Sequence, residues 1–413
     1  MPETPRLPLW AGRTVALLAI MLIALSLRSA VAAISPITEE IGRDIQLTSV
    51  GIGIIGMLPP IFFAISGFIA PPIARRLGLE GALVLAIVVM VAGHIVRALS
   101  ESYAVLLIGS ALALVGMGIA NVLLPPAVKR YFPDRIGAIT AGYATIMSIS
   151  TALPALLAAP LADSVGWRFS LGVWSGLALV AIIPWVVLFT RHRAHLAAAA
   201  LDPTPELDEA PPALVARLWR SRTAIAIAIA LAVSAINAYA SFAWLPQVLV
   251  DIAGVTPVEA GSLLALFSFA GLPASIIAPI VVARLKNGGL IIYVGVAFFV
   301  LGYLGLLFAA TGPIWLWVLL IGSGQILFPV SLVLINSRTR GHAGSVALSG
   351  FAQATAYTIG ACGPLIVGVL HDTTQGWTTA LVFLLGVSLT GLVAGVILGR
   401  HGFVEDELAA STR

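Results

Sequence analysis

The chain has 413 residues, of which 60% are hydrophobic and only 10% are Asp, Glu, Lys or Arg, against roughly 25% charged in an ordinary soluble protein. A mean hydropathy of +1.06 excludes a water-soluble domain, a disordered chain and a nucleic-acid binder, and leaves the lipid bilayer as the solvent that suits it. The net charge of +4 reflects where the basic residues lie rather than a polyanionic partner, and the single cysteine, Cys362, permits neither an internal disulfide nor a Cys-based metal site.

A membrane-spanning helix needs about 20 mostly apolar residues at a rise of 1.5 Å each. Twelve segments qualify: 14–37, 50–73, 81–99, 104–128, 137–161 and 169–189, then 224–250, 258–283, 290–310, 314–337, 343–370 and 378–398. Runs this long predict helices rather than barrel strands, whose alternation over about 10 residues is absent. The first run is too long for a cleaved signal peptide, holds Arg28 and is followed by further spans. Of the 22 Lys and Arg residues, 18 fall on one side of this arrangement, three (Arg43, Arg97 and Arg168) on the other or at its rim, and one, Arg28, inside span one. That bias predicts cytoplasmic termini and an even number of spans.

Between spans six and seven, residues 190–222 carry an Ala run, Asp202-Pro-Thr-Pro-Glu206 and Pro211-Pro212. This reads as a cytoplasmic linker, its end 215–222 a short basic surface helix, between two six-helix halves, 1–189 and 223–413. The halves repeat. At an offset of 208, Thr48, Val50 and Gly53 match Thr256, Val258 and Gly261, Ile69-Ala70-Pro71 matches Ile277-Ala278-Pro279, Arg76-Leu77 matches Arg284-Leu285, and Gly142-Tyr143-Ala144 matches Gly350-Phe351-Ala352. At 210, Pro154 matches Pro364 and Gly166-Trp167 matches Gly376-Trp377. Parallel repeats with a site between them are a transporter architecture, in which one half rocks against the other.

Four segments carry a resemblance: Leu25-Ser-Leu-Arg28-Ser-Ala-Val, Ala74-Arg75-Arg76-Leu77-Gly78-Leu79-Glu80, the run from Asn121 through Pro125-Pro126 and Arg130 to Gly137, and Gly322-Ser-Gly-Gln325-Ile-Leu-Phe-Pro329. With twelve spans, a 6+6 repeat and a central loop, the chain resembles the major facilitator superfamily, and within it the cyanate-porter branch, which also includes nitroimidazole exporters. The resemblance implies an all-α membrane protein of twelve helices in two pseudo-symmetric halves, with spans one, four, seven and ten lining a central cavity. It departs from the superfamily after span two, where Arg75 holds the usual Asp position and Pro71 the usual Gly. In span five Leu153-Pro154-Ala155 replaces the exporters' Gly-Pro-x-x-Gly-Gly pattern, which leans toward uptake.

Arg28 lies about fourteen residues into span one, where a charge costs at least ~2.5–3.5 kcal/mol on insertion scales. No Asp or Glu occurs well inside any span. A substrate anion can supply the missing charge, and a guanidinium suits planar, carboxylate-like groups; the alternative is Arg28 bonded to helix carbonyls or stacked on an aromatic ring. In span seven, Ser234, Asn237, Ser241 and Trp244 are spaced by three and four and share a helix face, a candidate solute wall or a helix–helix seam. The resemblance places Asn121 and Gln325 in the cavity too. Tyr143, Gln353 and Tyr357, with Phe351, are candidates to cover a small planar solute, or simply core. His94, one turn from Arg97, is the one histidine inside a span and the candidate for a coupled proton; its place near the rim favours an ordinary interfacial histidine. Arg75, Arg76 and Arg284 read as topology anchors, with a cytoplasmic gate as a secondary role.

The expected function is a secondary carrier working by alternating access on a small polar, anionic solute such as cyanate or a related nitrogenous or organic anion. A second reading is an exporter of nitroimidazole-like drugs or metabolites on the same fold. A third, of another class, is a receptor or sensor, which tails of about a dozen residues leave without an output domain. No catalytic constellation, ATPase motif or phosphate loop is present, so neither an enzyme nor a cofactor or metal is expected. The expected partners are the solute, optionally with a proton, and the bilayer. No nucleic-acid partner is expected, and the protein should act as a monomer. Twenty Arg against two Lys, with abundant Ala, suggest a GC-rich bacterial genome and hence a bacterial inner membrane.

Overall fold

The computed structural model describes residues 13–198, 217–285, 288–340, 342–400 and 402–410. Among them every regular element is helical. The helices are α1 (Thr14–Ser26), α2 (Ser29–Ala32), α3 (Thr38–Asp44), α4 (Ser49–Ala98), α5 (Tyr103–Tyr131), α6 (Ile136–Val165) and α7 (Trp167–Ala198). After residue 216 come α8 (Arg222–Ala253), α9 (Pro257–Leu285), α10 (Gly288–Phe308), α11 (Ile314–Gly324), α12 (Leu327–Ser337), α13 (His342–Thr374), α14 (Thr378–Leu398) and α15 (Val404–Ala410).

Ten of the described helical stretches are long and apolar enough to cross a membrane, with α4 counted once. At 50 residues, α4 is more than twice as long as a hydrocarbon core of about 30 Å requires. It breaks at Gly78, whose φ of 74° and ψ of 165° suit a residue without a Cβ, and so holds spans two and three. Helix α9, apolar over Pro257–Pro273, supplies span eight. All twelve expected segments are thus helical.

The chain forms two compact units, Met1–Leu47 with Ile61–Thr204, and Thr48–Pro60 with Pro205–Arg413. The sequence boundary lay at 190–222; the first turns of α4 nevertheless group with the second unit. There a Cβ added to Gly56 would stand 2.7 Å from the Cβ atoms of Ala243 and Pro364.

In the first unit α1 packs on α6 and α7, and the Trp185 indole N–H donates to the Ala19 carbonyl at 2.9 Å. Helices α4 and α5 touch backbone to backbone, since a Cβ on Gly93 would run into the backbone of Ala113. Glu80, just past the Gly78 break, is fully buried. It accepts a hydrogen bond from the Tyr131 hydroxyl at 2.6 Å and pairs with Arg130 at 3.3 Å. Arg130, part of the run from Asn121 to Gly137 that carries the family resemblance, thus has a buried carboxylate partner.

The second unit is built around α8, which packs on α13 and α14. Ahead of α8, Leu218–Arg220 form a 3-10 turn with Leu218 buried; residues 215–216 of the expected surface helix lie outside the described residues. The short α15 clasps the start of α8. Its Glu407 accepts from the hydroxyls of Ser221 and Thr223, each at 2.7 Å, and from the Thr223 N–H at 3.1 Å. Arg338 donates to the carbonyls of Leu398 and Arg400, which end α14.

The sequence repeat has a structural counterpart. In the first unit the Trp167 indole N–H donates to Asp44 at 2.9 Å; in the second the Trp377 indole N–H donates to Asp251 at 2.8 Å. Arg168 also pairs with Asp44, at 2.5 Å. The hydrogen bonds from Trp167 and Arg168 hold the Asp44 carboxyl below its usual range. A depressed folded value gives stability that is present above the unfolded value, about 3.9, and is lost as pH falls through the folded one. Asp44→Asn should therefore melt below wild type at neutral pH and converge with it under acid conditions, as read by melting curves of the purified protein between about pH 3 and 7.

Candidate functional site

Arg28 stands at a break in span one. Helix α1 stops at Ser26, Leu27 and Arg28 turn, and α2 resumes at Ser29 for one turn. Arg28 spends its backbone N–H on the Ser150 hydroxyl of α6 at 3.0 Å instead of on a helix carbonyl. Pro36 lies four residues beyond Ala32, where its ring opposes helix continuation, and Ser35–Ile37 accordingly form a 3-10 turn. The Arg28 side chain is only partly buried, and its Cζ lies 4.9 Å from the centroid of the Phe63 ring. No carboxylate pairs with it among the described residues. This is the aromatic stacking given above as the alternative to solute contact, and the ring, Phe63, belongs to span two.

Next to Arg28, the Ser29 hydroxyl lies 3.2 Å from His94 Nε2. His94 is fully buried, which corrects the interfacial placement: nearness to the end of a span says nothing about which way the side chain faces, and His94 faces inward. Asn121 and Tyr143 are partly exposed on α5 and α6. Asn121 precedes Pro125 and Pro126, yet α5 runs unbroken through both.

In the second unit Gln325 marks another break, in span ten. Helix α11 ends at Gly324 and α12 begins at Leu327. Pro329 offers no N–H to the Gln325 carbonyl four residues back. The backbone tightens instead, with Gln325, Ile326 and Phe328 donating to carbonyls three residues before them. The Gln325 amide lies 2.6 Å from the Ser234 hydroxyl of α8; in the orientation that satisfies both ends it donates to Ser234 and accepts from the Ala238 N–H at 3.2 Å.

Of the two readings of the remaining span-seven residues, solute wall or helix–helix seam, burial fits the seam. Asn237 is 0% exposed. It accepts from the Tyr303 hydroxyl at 2.6 Å and donates to the Val233 carbonyl at 2.7 Å and to Ser388 at 3.3 Å. Ser241 is buried. Trp244, 1% exposed, donates to the Pro364 carbonyl at 2.8 Å and lies beside Trp377. The three-and-four spacing correctly predicts a shared face, but this one points into the unit, where amide and indole glue helices together. Asn237→Ala should lower stability by about 1–3 kcal/mol, through the orphaned Tyr303 hydroxyl, while the KM for uptake stays put. Melting and uptake measured on the same preparation check this.

Gln353 and Tyr357 are partly exposed on α13; Gln353 donates to the Ser349 hydroxyl at 2.8 Å, and Tyr357 meets Tyr239 edge-on at 6.5 Å. Phe351 is buried under Trp219. Arg75 and Arg76 are exposed just before Gly78. The Arg284 side chain lies outside the described residues.

A discontinuous transmembrane helix that carries a polar residue at its break is the local architecture from which transporters build solute and ion sites. Comparison with known proteins points the same way. The chain is 31% identical over 400 residues to the 2-nitroimidazole transporter of Escherichia coli (strain K12), covering 94% of this chain and 96% of that one. It is 22% identical over 360 residues to the cyanate transport protein of the same organism, covering 86% and 90%. Its fold is similar to that of a D-xylose-proton symporter, with a TM-score of 0.72 at 14% identity over 95% of this chain and 98% of the other. The family model of the Major Facilitator Superfamily matches residues 16–362. With its relatives transporters rather than enzymes, this multi-pass membrane protein belongs to the major facilitator superfamily and is a transporter of that family.

Proposed function

We propose that this transporter carries a small planar solute bearing an anionic or nitro-type acceptor group, and that Arg28 binds that group. The observation behind this reading is the Arg28 guanidinium. It sits at a helix break, partly exposed and over the Phe63 ring, with no carboxylate pairing among the described residues. A charge at membrane depth is costly without a partner, and a guanidinium offers a planar fork of donors to two oxygens. Asn121 and Tyr143, partly exposed in the same unit, are proposed to assist. His94 is the candidate for a coupled proton. The protein is placed in a bacterial inner membrane with both termini in the cytoplasm, working as a monomer.

Two solute classes compete. Cyanate and related small anions call on the full charge of Arg28; a neutral nitroimidazole calls only on its hydrogen bonds. The higher identity to the 2-nitroimidazole transporter favours keeping the second class in view. Uptake into proteoliposomes separates them, with cyanate, an aromatic carboxylate and 2-nitroimidazole each tested on wild type and Arg28→Ala. Equal transport of all three by the variant overturns the role of Arg28.

A further inference from the structure

Arg97, one turn beyond His94 on α4, is 0% exposed. Its Nε, Nη1 and Nη2 have no hydrogen-bond partner among the described residues. Among the other buried side-chain atoms of the same unit without a hydrogen-bond partner are Ser110 Oγ on α5 and Trp174 Nε1 on α7. Packing brings these elements together. Gly109, the neighbour of Ser110, sits so close to Arg97 that a Cβ there would lie 2.7 Å from the Arg97 backbone nitrogen and 2.9 Å from its Cγ. On the α7 side, a Cβ on Gly172 would lie 3.0 Å from that of Ala98, and His94 faces the backbone of Leu171, one turn before Trp174. Ser29 bonds the other face of His94.

The chemistry of the cluster is one-sided. A guanidinium and an indole donate and cannot accept, and a hydroxyl turns to suit. A buried cation with no counter-charge is among the costliest arrangements in a fold, and the membrane raises the cost. Water can accept these hydrogen bonds but brings no charge. We propose that Arg97, with Ser110 and Trp174, binds a small monovalent inorganic anion of the halide class inside the first unit, at a site distinct from Arg28. Gly109 keeps α5 close enough to complete it. The site goes beyond the solute reading and does not depend on it.

Halide titration of the purified full-length protein tests this. In gluconate buffer at constant ionic strength, iodide should quench a saturable fraction of the tryptophan fluorescence, and chloride should compete that fraction away. Trp174→Phe should remove the saturable fraction, and Arg97→Gln should weaken iodide binding by about tenfold or more. Chloride should also raise the melting temperature of wild type relative to gluconate, by mass action on the folded state. Arg28→Ala should leave the iodide response intact while altering uptake, so the two sites fail or stand separately. Should Arg97→Gln not fold, wild type and Trp174→Phe still decide. Purely linear quenching that is the same in Trp174→Phe, with equal melting in chloride and gluconate, overturns the proposal and leaves water as the partner of Arg97.

Discussion

Replacing Arg28 with alanine is expected to raise the KM for an anionic solute by about 10- to 150-fold, the equivalent of the ~1.5–3 kcal/mol of a hydrogen bond to a charged group. For a neutral nitro compound the loss should be smaller, nearer the ~0.5–1.5 kcal/mol of a neutral bond. Arg28→Lys keeps the charge and loses the fork, so it should fall between wild type and alanine. Fold stability should hardly move. The described contacts of the side chain amount to the Phe63 ring, and the break in span one is held by the Arg28 backbone through Ser150, which alanine retains. Kinetics of uptake into proteoliposomes, with melting curves on the same protein, give the answer. An unchanged KM for every solute, or a collapse in stability with no kinetic change, would make Arg28 structural.

Pro329→Ala should have the opposite profile in stability. Restoring an N–H lets Gln325 and Leu327 join one continuous helix across α11 and α12, removing a defect that costs a helix interior about 3 kcal/mol. The melting temperature should stay or rise. Transport should fall about tenfold or more, because Gln325 would turn away from Ser234, 2.6 Å distant, and a misplaced polar group can cost that much. Pro125→Ala is the control, since the equally spaced Asn121 and Pro125 lie in a helix that does not break. If the two proline variants transport alike, the span-ten break has no functional weight.

The spans were legible because long apolar runs encode them directly. The repeat was legible too, down to Trp167 and Trp377, whose indoles bond the equivalent Asp44 and Asp251. What escaped was whatever depends on where a helix turns its faces. Spacing put Asn237 on one stripe with Ser234 and Trp244 but could not say that the stripe faces inward to Tyr303 and Ser388. Closeness to a span end suggested a rim histidine, whereas His94 is buried against Ser29. The break at Arg28 has no glycine or proline to announce it; its cause is tertiary, the hydroxyl of Ser150 more than a hundred residues away. The break at Gln325 could have been found, since Pro329 stands four residues on. Glu80 looked like a loop acid, and only the turn at Gly78 buries it beneath Arg130 and Tyr131.

The paired indole–carboxylate bonds carry a historical consequence. Each copy joins the chain just after the first span of a half to the start of its last span, and each lies within its own half. A link that is complete within one half is what duplication of a single six-helix unit would copy into both. Each half therefore holds its own tie between early and late spans. Fragments cut between the halves should each keep their indole–carboxylate bond when expressed apart, even though residues 48–60 lose the unit they pack on.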